Sequence, residues 1–455
     1  MPTPFIAPER IGALQRAERE RFLATHPASL ALGEAAHRHY LFGVPLHWMR
    51  DWPGPASLFV RQARGATLTC ADGLDYADFC LGDTGAMFGH SPDAVAQAIA
   101  RQATQGLTCM LPTDRAPAVG AGLQRVFGLP MWQLALSASD ANRFVLRWAR
   151  AVTARPTLLV FDGCYHGAVD DTLVDLDTAS GRTLPRPSVL GQVHNHADFT
   201  RVVPFNDLPA LEAALAQGDV ACVLAEPALT NFGLVPPAPG FWDAARALCR
   251  EHGAVFVCDE THTVSTALGG YAKAHGLDPD VLVIGKAVAG GLPCAVYGFT
   301  REMAARMAAA KDAAPEGHSG IGTTLSGNAL TLAALEAALE QLHTQPSYDH
   351  MLALAGQLER GLVERIARAG QPWTVTRLGA RMELQFMPHT PRHAQDVREQ
   401  ARSDLEALLH LFMLNRGVVL TPFHSMVLVS PATQAADVER LLAVFDEWLA
   451  ALAAA

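Results

Sequence analysis

AVFVCDETHTVSTALGGYAKAHGLDPDVLVIGKAVAGG, Ala254 to Gly291, holds two short apolar runs with a helical pattern between them. AVFVC runs straight into Asp259 and VLVIG straight into Lys286. Neither run alternates polar with apolar positions, so each reads as a strand buried on both faces. The unit recurs on either side: LALS, TLLVF, ACVLAE and AVYGF extend the series from about Leu134 to Phe299. Buried strands separated by helices predict an α/β fold, a mostly parallel sheet covered by helices on both faces.

In an open sheet of this kind ligands bind outside the carboxyl ends of the strands. Four polar groups stand at predicted strand ends: Ser137 to Asp140, Tyr165, Asp259 and Lys286. One such group means little, because a loop begins wherever a buried strand stops. Four at one edge mark a site.

Lys286 is the most telling of them. Lysine and arginine together number 35, yet the only lysines are Lys273, Lys286 and Lys311. A lysine amine can lose its proton and condense with an aldehyde, whereas a guanidinium stays protonated. Asp259 offers a fixed anion at the end of a second strand. An aldehyde-bearing pyridine needs this pair, an imine to lysine and a carboxylate that keeps the ring nitrogen protonated. A purely structural ion bridge would be better served by arginine, which this chain prefers.

LALSASDANRFVLRWAR passes from a strand into a helix with apolar positions at Ala141, Val145, Trp148 and Val152. Its Ser-Ala-Ser entry offers two hydroxyls, free backbone N–H groups and a positive helix end to a phosphate. Plain N-capping by Ser139 is the simpler alternative. Other readings of the GK pair fail. A Walker-type loop needs glycine and Ser/Thr where Asp280 and Ala287 stand, and GGLPCAVYG lacks the dinucleotide fingerprint. His166, His262 and His318 show no ligand spacing and read as loop or core histidines, so no metal site is expected.

The remainder bounds the class. Half of the 455 residues are hydrophobic and 18% charged, and the net charge of −10 argues against a nucleic-acid surface. Eight cysteines without a C-x-x-C pair suggest reduced thiols in a cytoplasmic protein, and no run suits a signal core or a membrane span. Pro8 to His26 has helical spacing, and Ala66 to Phe79 reads as a hairpin about Asp72-Gly73. Leu330 to His343 is an Ala/Leu-rich helix; beyond it LGARMELQF, a helix near Asp404 to Arg416, GVVLTPF and MVLVS predict a small α+β domain. The expected division is 1–65 as an N-terminal helix and extended segment packing with the small domain, 66–330 as the large domain and 331–455 as the small one.

With these motifs in order, the chain resembles the class III aminotransferases of the pyridoxal-phosphate fold type I superfamily, near the glutamate-1-semialdehyde aminomutase and β-amino-acid transaminase branch. The resemblance runs from about Ala66 to the C-terminus, with GVPLHWMR (Gly43 to Arg50) a weaker match. It implies a seven-stranded large domain and pyridoxal 5'-phosphate as cofactor. It also implies phosphate contacts from Ser137, Ala138 and Ser139, where the family has Ser-Gly-Thr. Tyr165, in Tyr-His-Gly, would stack on the ring, and Asn231, in EPALTNFG, would hold its 3-hydroxyl. Thr261, where the family has an apolar residue, would pack its methyl on the other face. Thr324, in GTTLSGNAL, would reach the partner subunit's phosphate in a homodimer. Thr266 stands where the family often has an arginine.

The activity so implied is transamination between an amine or non-α amino acid and a keto acid through a Lys286 Schiff base, assisted by Asp259. Arg50 would bind a substrate carboxylate or be a surface charge, and Trp48 would line an amine pocket or a core. Lys286 and Asp259 suffice equally for an aminomutase or a racemase, and a cofactor-binding protein without catalysis is a further alternative.

Overall fold

The computed structural model describes residues 6–453. Contacts divide them into two units. One comprises Asp93–Tyr348 and Pro391–Arg398; the other holds the residues up to Pro92, Asp349–Thr390, and those from Glu399 onward.

The larger unit is built on seven strands: β1 Met131–Ala135, β2 Thr157–Phe161, β3 Thr200–Val203, β4 Val220–Ala225, β5 Val255–Asp259, β6 Val281–Ile284 and β7 Ala295–Phe299. Their spatial order is β1-β7-β6-β5-β4-β2-β3. Every pairing is parallel except those of β7, which runs against both β6 and β1. The sheet is thus mostly parallel, as the runs predict. β2, β4, β5, β6 and β7 are buried at every position, which is why their sequences carry no alternation. β3 was not among the expected runs. It is a sheet edge whose Arg201 reaches Asp219 and Gln217.

Helix α1, Ala138–Thr153, follows β1 directly. Its buried face is Ala141, Asn142, Phe144, Val145, Leu146 and Ala149. Of the expected apolar stripe, Trp148 and Val152 are only partly buried. Helix α2, Ala329–Gln341, matches the Ala/Leu-rich segment and is buried almost all round against the helices Asp93–Ala103 and Ala116–Phe127.

This packing moves one boundary. The helix assigned to the small domain from 331 belongs to the large unit, because its alanines and leucines fill that core. The other boundary moves too. The hairpin Thr67–Cys70/Asp75–Asp78 forms about Gly73, and Asp75–Asp78 then pairs in parallel with Val418–Val419. Residues 66–92 therefore fold with the C-terminal segments.

In that smaller unit a second sheet joins Thr374–Leu378, Arg381–Gln385 and Met426–Leu428. Helices Pro8–Thr25, Ser403–Leu414 and Ala435–Ala453 pack a core that includes Phe79, Leu405, Phe412, Phe445 and Trp448. No helix among the described residues is long and apolar enough to cross a membrane.

Candidate active site

β5 ends on Asp259 and β6 on Ile284, one residue before Gly285 and two before Lys286. The two strands pair in register, with Asp259 opposite Val283, so the carboxylate and the lysine emerge from neighbouring strand ends. Thr261 ties them. Its hydroxyl donates to Asp259 Oδ1 at 2.7 Å and accepts the Gly285 N–H at 3.3 Å. With its hydroxyl so engaged, Thr261 keeps its methyl for packing.

Asp259 is buried and held by four donors. Oδ1 also accepts the Thr261 N–H at 3.1 Å, and Oδ2 accepts Asn142 Nδ2 at 2.8 Å and His166 Nδ1 at 3.0 Å. Burial alone would raise its pKa; the His166, Thr261 and Asn142 hydrogen bonds outweigh this and hold it below its ordinary value. Asp259 is a carboxylate. His166 moves the other way: burial would push it down, but the Cys164 sulfur and the Asp259 carboxylate raise it well above its ordinary value. His166 Nε2 and Asn142 Oδ1 are buried without a hydrogen-bond partner among the described residues.

Lys286 opens a short turn, Lys286–Ala289, with φ +48°. A side chain in this left-handed region costs of order 1–3 kcal/mol and persists only where the surroundings demand it. Here Ile284 is locked in the sheet, and Gly285 is pressed on Ala138: a Cβ at Gly285 would lie 2.8 Å from that of Ala138. The Ala138 methyl thus fits because its neighbour is glycine. Lys286 Nζ lies 2.5 Å from His262 Nε2.

His262 leads to the remaining residues. Its Nδ1 is 2.6 Å from Thr230 Oγ1 and 3.3 Å from Asn231 Nδ2. Thr230 in turn donates to Glu226 Oε2, while Glu226 Oε1 accepts the Tyr165 N–H at 3.1 Å. Burial pushes Glu226 up, with His166, the Thr230 hydroxyl and the Tyr165 N–H opposing and Asp259 adding to the rise. Tyr165 remains 47% exposed.

The N-terminus of α1 is capped by Ser137, whose Oγ accepts the Asp140 N–H at 3.2 Å. The cap is therefore Ser137 and not Ser139. Ser139 Oγ instead accepts the Ala168 N–H at 3.0 Å, beneath Gly167, where a Cβ would sit 2.1 Å from that oxygen.

The structure thus joins Asp259, Thr261, Lys286 and Asn231 in one network, ties Tyr165 to it through Glu226, and sets Ala138 and Ser139 beside Gly285 and Gly167. Thr324 is exposed on the loop 319–328. Trp48 and Arg50 belong to the smaller unit. Trp48 stacks on Trp52 at 6.1 Å, and Arg50 covers Phe42 at 3.9 Å and pairs with Asp51 at 3.2 Å. Asn142, His166, Glu226, Thr230 and His262 did not emerge as site residues from the sequence. His166 and His262 each sit one to three residues from a strand-end candidate, the only signal available. Among the described residues no cluster of three or more His, Cys, Asp or Glu could hold a metal ion.

An anion at one strand end, an amine at the next, an exposed aromatic ring and a helix N-terminus with hydroxyls fit a phosphorylated pyridine aldehyde. The two orphaned polar atoms beside Asp259 mark a buried polar site with hydrogen-bonding capacity to spare.

The sequence pattern of the class III aminotransferases matches residues 49–448. A glutamate-1-semialdehyde 2,1-aminomutase from Sorangium cellulosum is 35% identical over 435 residues, 93% of this chain and 97% of that protein. A crystal structure of a glutamate-1-semialdehyde aminomutase from Pseudomonas aeruginosa superposes with a TM-score of 0.96 at 49% identity, covering 98% of this chain and 99% of its own. A lysine-to-alanine variant of it, at 48% identity with the same TM-score and coverage, was solved with PMP. An ω-transaminase from Sphaerobacter thermophilus reaches 0.85 at 26% identity over 95% of this chain and 100% of its own.

Proposed function

The chain belongs to the class III aminotransferase family, and on that premise we propose that it is an aminomutase, moving an amino group within one small substrate that bears both an amine and a carbonyl. It is an enzyme of the pyridoxal-phosphate fold type I class, and its cofactor is pyridoxal 5'-phosphate. When bound, that cofactor supplies an electron-accepting ring next to the substrate carbon that gains negative charge.

The chain's residues divide the work. Lys286 Nζ would hold the cofactor's aldehyde carbon, and its amine is the group of this chain able to take and give a proton beside it. Asp259 keeps the ring nitrogen protonated, and His166, Asn142 and Thr261 keep Asp259 charged. Tyr165 and the Thr261 methyl would flank the ring, and Asn231 would hold its 3-hydroxyl. Ser137, Ala138 and Ser139 hold the phosphate, together with Thr324 supplied across a homodimer. Arg50 binds a substrate carboxylate, and Trp48 lines the substrate pocket.

One observation supports the main reading most: the Asp259–Thr261–Gly285 link that sets the anion beside the lysine occurs in a chain 35% identical to an aminomutase over 93% of its length. Transamination between an amine or non-α amino acid and a keto acid is the second reading, favoured by the likeness to the ω-transaminase across its whole length. The amine form of the holoenzyme, given glutamate-1-semialdehyde and no keto acid, distinguishes them. Many turnovers without an acceptor are expected. Turnover only in proportion to added keto acid would replace the aminomutase with the transaminase. Arg50→Ala is expected to impair substrates with a carboxylate while sparing a carboxyl-free amine.

A further inference from the structure

Glu226, Thr230, His262 and Lys286 form an unbroken file, and the first three are buried. The direction of its hydrogen bonds follows from its two ends. Thr230 Oγ1 donates its single proton to Glu226 Oε2. The Thr230 oxygen must then accept from His262, whose Nδ1 lies 2.6 Å away and therefore carries the ring proton. The longer Asn231 approach to Nδ1, at 3.3 Å, yields to that bond. A neutral imidazole protonated at Nδ1 has a lone pair at Nε2, and this lone pair faces Lys286 Nζ at 2.5 Å. His166 and Asp259 are the other charged groups that bear on Glu226, and they act with opposite sign.

We propose, resting on the reading of Lys286 as the reactive amine, that His262 is the base that takes and returns the Lys286 proton, with Thr230 and Glu226 fixing its tautomer. In the forward step one Nζ–H bond breaks and its electron pair stays on nitrogen. The proton bonds to His262 Nε2, and the positive charge passes to an imidazolium that Glu226 faces through Thr230. Lys286 is left as a neutral amine. Return of the proton restores the ammonium and the neutral imidazole. A histidine that merely filled space would need neither the Nε2–Nζ contact nor the buried acid behind it.

The chain's three lysines make the test clean. In the cofactor-free protein, labelling with limiting acetic anhydride from about pH 6 to about pH 10, followed by peptide mass spectrometry, reads Lys286 against exposed Lys311. His262→Ala is expected to lower the Lys286/Lys311 labelling ratio at about pH 8 roughly tenfold, because Nζ then has no base to take its proton as it attacks the anhydride. His262→Gln, which accepts a hydrogen bond but takes no proton, should behave like His262→Ala, and Thr230→Val should shift the ratio in the same direction by less. An unchanged ratio in His262→Ala and Thr230→Val overturns the proposal. If the variants do not fold, ¹⁵N-histidine NMR of the unaltered protein decides: a His262 ring protonated at Nε2 rather than Nδ1 overturns it equally. The parent reading fails by a different sign, a Lys286→Ala variant that still attaches its cofactor in a borohydride-stable form. The two failures are thereby told apart.

Discussion

His166 Nδ1 and Asp259 Oδ2 lie 3.0 Å apart, with both side chains buried. Each holds the other's charge, so loss of either strands a charge in a dry site. His166→Leu is expected to destabilise the cofactor-free protein by roughly 3–5 kcal/mol, and the double variant with Asp259→Leu by less than the sum of the single changes. Chemical denaturation measures both. The pH dependence has a definite sign. Asp259 is lowered, so its share is present above its ordinary 3.8 and is lost as pH falls through the folded value. His166 is raised, so its share is complete below 6.5 and fades as pH rises through the folded value. The stability advantage over His166→Leu should accordingly be largest in the weakly acidic range and shrink on the alkaline side.

Gly167 is constrained twice. Its φ is +86°, and a Cβ would fall 2.1 Å from Ser139 Oγ and 3.1 Å from Ser139 Cα. Gly167→Ala must therefore strain the backbone and displace the hydroxyl that accepts the Ala168 N–H. A loss of roughly 2–3 kcal/mol is expected, with weaker cofactor binding because Ser139 moves. Gly181, with φ +70° and open space around it, is the control; Gly181→Ala should cost only about 1 kcal/mol and leave cofactor affinity alone. Denaturation midpoints and fluorescence titration with the cofactor compare the two.

These positions show what a one-dimensional reading reaches. Asp259 and Lys286 were legible because each ends an apolar run, and strand ends are local features. The six strong strands were legible for the same reason. β3 was not, since TRVV is short and carries Arg201 at a sheet edge. The residues around Asp259 and Lys286 were hidden by distance: Asn142 comes from α1, His166 from beyond β2 and Thr230, which reaches Lys286 through His262, from beyond β4. His166 and Thr230 each adjoin a candidate, Tyr165 and Asn231, but nothing in the sequence points their side chains at Asp259 or Lys286. The unit boundaries were hidden likewise, because the pairing of Asp75–Asp78 with Val418–Val419 joins opposite ends of the chain.

A second pH effect comes from His343, buried against Phe127 in a T-shaped contact with its Nε2 3.4 Å from Val288 O. Burial pushes it down from 6.5 to about 4. It is neutral in the fold, whereas the unfolded chain takes up a proton below 6.5, so its contribution is present above 6.5 and is lost as pH falls through about 4. The gap corresponds to about 3 kcal/mol. His410, likewise buried and pushed down to about 4, adds a loss of the same sign. His343→Gln should flatten the fall in melting temperature between about pH 7 and about pH 4.5, and a further His410→Gln should flatten it more. An unchanged acid limb in the double variant would mean that neither imidazole stays neutral.

Thr266 occupies the place where the resembling family often carries an arginine. It is 9% exposed, and its hydroxyl has no hydrogen-bond partner among the described residues. A buried hydroxyl without a partner bears a desolvation cost that a methyl of the same shape does not. Thr266→Val is therefore expected to stabilise the cofactor-free protein by about 1 kcal/mol, read as a rise in the urea midpoint at constant slope. The same variant should bind the cofactor with unchanged affinity, since no hydrogen bond links Thr266 to the Asp259–Lys286 network. A loss of stability instead would mean that the hydroxyl finds a partner once the protein is hydrated or paired.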